Sequence, residues 1–328
     1  MYQMMSLPLY SGTLGEYNSW RDLGQELERL GCDGIEGVWG GEDLPKDLPA
    51  ELILGYHLIF YPDWLDFYRD DRAALKQKFG SLEVTASFYG GLGPDTLLEQ
   101  YRADLRLAVN LGARYVVFHV SDVSLEEGYT YRWLPTNQEV IDAAVEVVNL
   151  ILGEERWPFE FLVENQWWPG FTFTEPEETA RLLEGIRFAG KGILLDTGHL
   201  MNACTELKTE AEGADYIRRM LNRHGSLAKW VRGVHLHQSL SGAYVKAHTG
   251  SLPAGLPEDY MERFGVSYQH ILQIDQHRPW TDPAILSVLE QIEPRYLTHE
   301  LSSRGRMARA EAVSVQTRLL QQGGRMRV

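Results

Sequence analysis

Residues 193–199 include two side chains, Asp196 and His199, whose types and spacing could bind a metal ion or transfer a proton. Their apolar members predict a short buried strand, and Gly198 allows a sharp turn where that strand ends. Asp196 and His199 leave the strand close together, which suits half of a metal site or an acid/base pair. Asp196 could instead only cap the next segment, with His199 in a surface loop. The other strand ends must decide between these interpretations.

Composition narrows the class of protein. The chain has 328 residues and 44% hydrophobic content, enough for one large α/β barrel with a sizeable core. Its formal net charge of -15 argues against nonspecific attraction to nucleic acid or to an anionic membrane, although bound metal ions could reverse the sign locally. Cys32 and Cys204 cannot form a disulfide framework. With no signal-like start and no apolar run of about 20 residues, we expect a soluble cytoplasmic protein.

Short apolar runs alternate with helical patterns along the chain. The predicted strands are residues 7–10, 34–38, 51–59, 115–119, 159–164, 193–196, 231–237 and 295–300. The predicted helices are residues 19–30, 94–111, 139–152, 176–186, a segment within 214–230, 284–292 and 306–321. Strands separated by helices predict parallel pairing, because a crossover helix returns the chain to the same end of a sheet.

This pattern predicts an α/β fold, a (β/α)8 TIM barrel, in a single domain that covers residues 1–328. An open doubly wound sheet is the alternative, but no strand is followed by a glycine-rich GxGxxG or GxxxxGK[ST] turn. The longest stretch without a clear period, at about 238–257, is rich in Gly and Ser. We predict that it forms an irregular insertion, either a lid or a surface excursion.

The C-terminal ends of the strands of a βα barrel converge on one face, which holds the active site. Acids and imidazoles lie at or soon after most of the predicted ends, and an Asp-x-His sequence lies between the last two strands. These residues are His57, His119, Glu164, Asp196, His199, His235, Asp275, His277 and Glu300. Each alone has a structural explanation, as a hydrogen-bonded histidine or a helix-capping carboxylate. Such roles do not explain why they coincide at one face.

Clustered carboxylates repel one another and resist ionisation at neutral pH, and bound cations remove that conflict. Nitrogen and oxygen donors match Zn²⁺, with Mn²⁺ and Fe²⁺ as alternatives. Neither Cys32 nor Cys204 falls among these strand ends, so no thiol takes part. We therefore predict a divalent-metal site built from the nine side chains.

Other residues near the same end have two interpretations each. His237 shares a strand face with His235, so it is either a hydrogen-bond donor behind the ligands or a core residue. His299 is out of phase with Glu300 and is predicted to face the helices. Several tryptophans in loops either stack on a sugar or base or simply pack there. They are Trp39, Trp167, Trp168 and Trp280.

The order His, His, Glu, Asp-x-x-His, His, Asp-x-His, Glu resembles that of the xylose isomerase-like superfamily, and specifically of the endonuclease IV family, also called AP endonuclease family 2. The best local matches are Val163-Glu164-Asn165, Leu195-Asp196-Thr197-Gly198-His199, Val234-His235-Leu236 and Asp275-Gln276-His277. The resemblance implies hydrolysis of a phosphoester by a cluster of up to three zinc ions. The implied ligands are His57, His119 and Glu164 for the first ion, Glu164, Asp196, His235 and Glu300 for the second, and His199, Asp275 and His277 for the third.

The chain departs from the endonuclease IV family in its loops. About 40 residues separate His235 from Asp275, where the family has a short stretch. Arg278-Pro279-Trp280 replaces the Gly-Glu-Gly type of sequence that usually follows the Asp-x-His motif. These loops and the acidic charge do not support abasic DNA as the substrate, so the metal chemistry transfers better than the substrate does.

The sugar isomerase and epimerase branch of the superfamily is the alternative. It requires one divalent ion, which Glu164, Asp196, His235 and Glu300 would hold, with Glu164 and Glu300 as the acid–base pair. A barrel that binds metal without catalysis is a third hypothesis. The expected partner is a small sugar, a sugar phosphate or another phosphoester, and no membrane. The sequence has no periodic apolar stripe that would specify an oligomer.

Overall fold

Parallel strands close on themselves at the centre of the protein. The computed structural model describes residues 1–39, 41 and 44–323. Its strands are β1 (Tyr2–Leu9), β2 (Gly34–Trp39), β3 (Ile53–His57), β4 (Tyr115–His119), β5 (Glu160–Glu164), β6 (Lys191–Asp196), β7 (Val231–His235) and β8 (Tyr296–His299). Each pairs in parallel with the next, and β8 pairs with β1 to close the barrel. The predicted TIM barrel is confirmed.

Helices connect the strands and bury their apolar faces against them. They are α1 (Ser11–Leu14), α2 (Trp20–Leu30), α3 (Leu65–Tyr68), α4 (Arg72–Phe79), α5 (Leu82–Tyr89), α6 (Pro94–Asn110), α7 (Leu125–Thr130), α8 (Asn137–Leu152), α9 (Pro176–Gly185), α10 (Thr197–Asn202), α11 (Glu210–His224), α12 (Gly242–His248), α13 (Tyr260–Ile274), α14 (Ala284–Ile292) and α15 (Arg306–Gln322). Local signals set their ends: α8 begins with a capping box between Thr136 and Glu139, and α2 stops at Gly31, whose φ is 73°. None of the described helices combines the length and apolarity needed to cross a bilayer.

The barrel interior is packed with large side chains below the C-terminal ends of the strands. Tyr115 fills much of this space, and it does so because Gly55 on the neighbouring strand has no side chain. A Cβ at Gly55 would lie 2.3 Å from the Tyr115 ring. The Tyr115 hydroxyl then donates a hydrogen bond of 2.6 Å to Glu36, which starts a polar layer above the apolar one. The residues at the strand ends lie directly above this polar layer.

The structure shortens several predicted strands. The prediction of 231–237 was too long, since β7 ends at His235 and β3 and β8 are shorter in the same way. The chain leaves the ladder because His237 bonds elsewhere: its carbonyl accepts hydrogen bonds from Thr197 Oγ1 at 2.6 Å and from Trp280 Nε1 at 2.8 Å. His237 and Glu300 therefore lie beyond strand ends rather than within strands.

Helices that sequence periodicity did not predict fill the longer connections. The prediction that 238–257 is irregular was wrong in part, because α12 lies inside it, and α13 follows directly. Between β3 and β4 the sequence predicted one helix, whereas α3, α4 and α5 precede α6. The apolar period is unclear in helices of eight residues or fewer, such as α3, α4, α5 and α12. Helix α13 has 15 residues, so its length does not explain why it was missed. That the chain forms a single domain stays a prediction.

Candidate metal centre

The structure brings the nine predicted side chains together in three neighbouring groups of potential metal ligands. Within each group, one nitrogen or oxygen atom from every residue lies within 4.8 Å of the others. The groups are His57, His119 and Glu164; Glu164, Asp196, His235 and Glu300; and His199, His237, Asp275 and His277. The structure thus adds His237 to the predicted set.

The first group joins the ends of β3, β4 and β5. The Nε2 atoms of His57 and His119 lie 3.0 Å apart, and Glu164 Oε2 lies 3.4 and 3.1 Å from them. Ligand atoms about 2.1 Å from a tetrahedral ion are about 3.4 Å apart, so this spacing fits a zinc site. The Nδ1 atom of His57 lies 2.8 Å from the carbonyl of Leu58, to which it can donate. That bond leaves Nε2 unprotonated for a metal.

Glu164 links the first two groups through its two carboxylate oxygens. Oε2 faces the first group, whereas Oε1 lies 3.3 Å from His235 Nδ1 and 3.2 Å from His199 Nδ1. The side chain is 1% exposed. A carboxylate with one oxygen turned to each group can bridge two cations.

The second group is organised around His235. Its Nδ1 lies 3.0 Å from Glu300 Oε2 and 3.7 Å from Asp196 Oδ2. Its Nε2 points the other way and lies 2.8 Å from Glu36 Oε1. Sequence reasoning missed Glu36; the signal was an acidic residue in the middle of a buried strand. A carboxylate behind a histidine fixes the ring and makes the opposite nitrogen a better metal ligand.

The third group joins the turn after β6 to the segment after α13. Asp275 Oδ2 lies 3.2 Å from His199 Nε2 and 3.1 Å from His277 Nε2. His277 has a φ of 44°, a left-handed conformation that is strained for a residue with a side chain. His237 completes the group, and its Nε2 also lies 2.8 Å from Asp196 Oδ2. Of the two interpretations of His237, core packing alone does not fit these contacts.

The electrostatics of the groups favour bound positive charge. Burial acts to raise the pKa of the Glu164 carboxyl, but the imidazoles of His119 and His235 hold this pKa well below its usual range. His235 and His277 oppose burial in the same way and lower the pKa of Glu300. Burial acts to lower the pKa of His235, yet the carboxylates around it raise that pKa well above its usual value. Burial lowers the pKa of His119 and the pKa of His277, so these imidazoles are poor carriers of the positive charge that ionised carboxylates need. Bound metal ions can supply that charge instead.

Several buried polar atoms of the groups have no hydrogen-bond partner among the described residues. They include both oxygens of Glu164, Nδ1 of His235, Nε2 of His277 and Oε2 of Glu300. Leaving such an atom unsatisfied costs about 1–3 kcal/mol, and more when it is charged. Divalent cations bound by the three groups would give these five atoms partners, so the donor set fits such ions.

Of the other residues considered in the sequence, some form hydrogen bonds behind the candidate ligands and others line the cavity above them. His299 faces the helices as predicted, with Nδ1 2.8 Å from Gln316 Nε2 of α15. Trp280 is fully buried and donates a hydrogen bond to the His237 carbonyl. It therefore supports the third group and does not offer a face on which a substrate could stack. Trp167 and Trp168 line the cavity above the groups. Arg278 is exposed and bonds to Gln238 through its backbone.

Two cavities mark the two ends of the barrel. The one above the metal-ligand groups has a volume of about 580 Å³ and reaches all three groups through His57, His199 and Glu300. A larger depression of about 1100 Å³ lies at the opposite end, beside Lys191 and Arg295, and contains none of the candidate ligands. Active sites of βα barrels lie at the C-terminal ends of the strands, so the smaller cavity is the functional candidate.

Comparison with known proteins gives the family and the fold. A family model described as xylose isomerase-like TIM barrel matches residues 25–313. Endonuclease IV from Thermus thermophilus is 16% identical, with a TM-score of 0.52 over 98% of this chain and 100% of its own. L-ribulose 3-epimerase is 13% identical, with a TM-score of 0.54 over 99% and 96%. Mannonate dehydratase from Streptococcus suis serotype 2 is 13% identical, with a TM-score of 0.53 over 99% and 94%.

At these identities the structural likeness shows the shared fold alone. A search of curated proteins finds no match for the chain. The choice of reaction therefore rests on the side chains of the candidate metal centre.

Proposed function

This chain belongs to the xylose isomerase-like TIM-barrel family, and we propose that within it the protein is a metal-dependent phosphoesterase. Its centre would hold up to three zinc ions, with Mn²⁺ or Fe²⁺ as alternatives. The observation that carries this proposal is the set of three adjoining ligand groups, two of which share Glu164. A single-ion enzyme would leave His57, His119, Asp275 and His277 without a role.

Divalent ions bound here would supply Lewis acidity, which polarises phosphoryl oxygens and makes water more acidic. The protein's part is to hold the ligand atoms in fixed positions. The Nδ1 atom of His199 lies 3.0 Å from the Asn165 carbonyl, a bond that turns Nε2 toward the third group. Asp196 Oδ1 accepts a hydrogen bond of 2.6 Å from the His199 backbone, which fixes the turn between the second and third groups.

The two predicted catalytic carboxylates have different roles in this proposal. Glu300 lines the cavity and its side chain is 21% exposed, whereas that of Glu164 is 1% exposed. Glu300 is therefore the carboxylate that can exchange a proton with a bound substrate. Glu164 is enclosed by histidines and serves to hold cations.

Metal content per chain tests the proposal directly. Protein purified without chelator is expected to contain close to three ions by inductively coupled plasma mass spectrometry. Asp275→Ala with His277→Ala should remove one ion and slow hydrolysis of bis(4-nitrophenyl) phosphate. His248→Ala, an exposed histidine on α12 outside the three groups, is the matched control and should change neither. One ion per chain together with no hydrolysis would contradict the proposal.

A second candidate function is isomerisation or epimerisation of a sugar or sugar phosphate. The observation that favours it is that the second group alone offers four ligands and includes both Glu164 and Glu300. In that reaction the two carboxylates would move a proton at the carbon beside a carbonyl. Exchange of that proton with deuterium in D₂O, by protein that binds one ion, would support this function over hydrolysis.

A further inference from the structure

The cavity above the candidate metal centre has a polar floor and apolar walls. Its floor is formed by members of all three ligand groups. Its walls include aromatic side chains from five separate parts of the chain. These aromatic residues include Phe60, Phe88, Trp167, Trp168, Phe264 and Tyr268. Any group held at the floor therefore has an aromatic surface immediately beside it.

The charge of the lining distinguishes classes of substrate. None of the described residues that line the cavity is a lysine or an arginine. Proteins that bind nucleic acid neutralise backbone phosphates with these two residue types, which supply most of the affinity. The net charge of -15 adds repulsion over the whole molecule. The described lining of the cavity therefore offers no lysine or arginine to neutralise the further phosphates of a polyanion.

Helix α13 is a fixed wall of the cavity. His270 on α13 has Nε2 3.2 Å from the Gly128 carbonyl of α7 and Nδ1 2.9 Å from the Tyr244 hydroxyl of α12. At its other end, the Tyr260 ring lies 4.3 Å from that of Phe79 on α4. Contacts at both ends hold the inner side chains of α13 against the cavity. The volume of about 580 Å³ is within the range of about 300–1,000 Å³ that is typical of small-molecule sites.

We propose that the cavity selects a small substrate in which an aromatic or similarly apolar group adjoins the anionic group held at the metal centre, and that duplex DNA is not the substrate. The aromatic walls would bury the apolar group while the floor holds the anion. This proposal rests on the proposed function for the anionic part only. The preference for an apolar group depends on the walls and is measured separately, by comparing the affinities of two phosphonates.

Two phosphonates distinguish the contribution of the cavity walls to binding from the contribution of the floor. Phenylphosphonate and methylphosphonate carry the same anionic head group and differ in the apolar substituent. Isothermal titration of the zinc-loaded protein should show phenylphosphonate binding about 10- to 100-fold more tightly, the difference expected for burying an aromatic ring. Equal affinities would overturn the proposal.

Two exposed residues on α13 provide a matched pair of variants. Tyr268 lines the cavity and is 53% exposed, whereas Val266 is 44% exposed and does not line it. Because both are exposed, replacement should leave folding unchanged. Tyr268→Ser should reduce the preference for phenylphosphonate by about threefold or more, and Val266→Ser should keep it. Loss of preference in both variants, or in neither, would contradict the assignment.

Hydrolysis assays distinguish failure of this proposal from failure of the proposed function. Cleavage of bis(4-nitrophenyl) phosphate with equal phosphonate affinities overturns the apolar selection and leaves the phosphoesterase. Tighter phenylphosphonate binding without any hydrolysis supports the selection and counts against the phosphoesterase. A higher kcat/KM for a duplex with an abasic site than for bis(4-nitrophenyl) phosphate would overturn the exclusion of DNA.

Discussion

Glu36 of β2 and His235 of β7 are joined across the barrel interior, with Glu36 Oε1 2.8 Å from His235 Nε2. Both side chains are fully buried, and their strands do not pair with each other. The other oxygen of Glu36 accepts hydrogen bonds from the Tyr115 hydroxyl at 2.6 Å and from Thr298 Oγ1 at 2.9 Å. Glu36 is thus held in place from below, and it turns His235 Nδ1 toward the second ligand group.

Replacing Glu36 should weaken metal binding without touching a ligand. Glu36→Gln removes the charge behind His235 and is expected to lower zinc affinity by about 10- to 100-fold, as measured by competition with a chromophoric chelator. Glu26→Gln is the matched control, because Glu26 is also buried but bonds to Tyr17 and Arg306 instead. Its zinc affinity should equal that of the wild type. An unchanged affinity in Glu36→Gln would remove Glu36 from the site.

Gly198 is required by the close approach of His237. A Cβ at Gly198 would lie 2.0 Å from Cε1 of His237. Gly198→Ala should therefore displace the His237 ring and reduce metal content at the third group. Gly24→Ala, on α2 where nothing lies within 4 Å of the added Cβ, should leave metal content unchanged. In that control we expect stabilisation of about 0.5–1 kcal/mol, the usual effect of replacing glycine within a helix. Equal metal content in both variants would exclude this role.

Removing metal should destabilise the fold. The ligand groups place buried carboxylates close together, and bound cations stabilise the folded state by about 4 kcal/mol at a concentration a thousandfold above Kd. We expect a chelator to lower the Tm measured by calorimetry, and added zinc to restore it. If the Tm is the same with and without chelator, the centre does not contribute to stability through metal.

A largely enclosed ammonium, that of Lys78, anchors the helices that precede α6. Lys78 Nζ lies 2.8 Å from Asp63 Oδ1 and 2.7 Å from Asp66 Oδ2. Lys78→Met should lower the free energy of unfolding in urea by about 3–5 kcal/mol, because it leaves the buried carboxylate of Asp63 without this partner. Lys76→Met, an exposed lysine on the same helix, should change it by less than about 0.5 kcal/mol. Similar effects of the two substitutions would contradict this role of Lys78.

Asp122 should give stability a specific pH dependence. Burial, with repulsion from Asp63, raises the pKa of Asp122 to about 7, above its value of about 3.9 in an unfolded chain. The folded protein thus holds the proton more tightly, so stability is lost as pH rises from about 4 through about 7. Asp122→Asn can keep the hydrogen bonds from the Trp64 and Leu65 backbones without this ionisation.

The stability of Asp122→Asn relative to the wild type should therefore increase by about 2–3 kcal/mol between pH 5 and pH 8. Urea unfolding of both proteins at the two pH values, each with chelator present, measures the difference. A constant difference across this range would show that Asp122 does not titrate there.

The barrel and most of the candidate site could be predicted because they depend on local patterns. Apolar runs separated by helices specify parallel strands, and parallel strands in a barrel end on the same face. Residues at those ends, such as His57 and Asp196, must then come together whatever their distance in sequence. Asp275 and His277 follow α13 rather than a strand, so strand-end geometry alone does not place them. They were predicted from the Asp-x-His sequence between the last two strands.

Tertiary structure decided what lies behind and above the ligands. Glu36 reaches His235 from a strand that is not its neighbour, and His237 enters the third group only because the chain leaves the ladder after β7. The part of the aromatic wall that Phe264 and Tyr268 form depends on α13, whose position is set by contacts with α4, α7 and α12. The apolar period of a segment shows which of its faces is buried. Contacts between segments depend on side-chain conformations and packing that no single segment specifies.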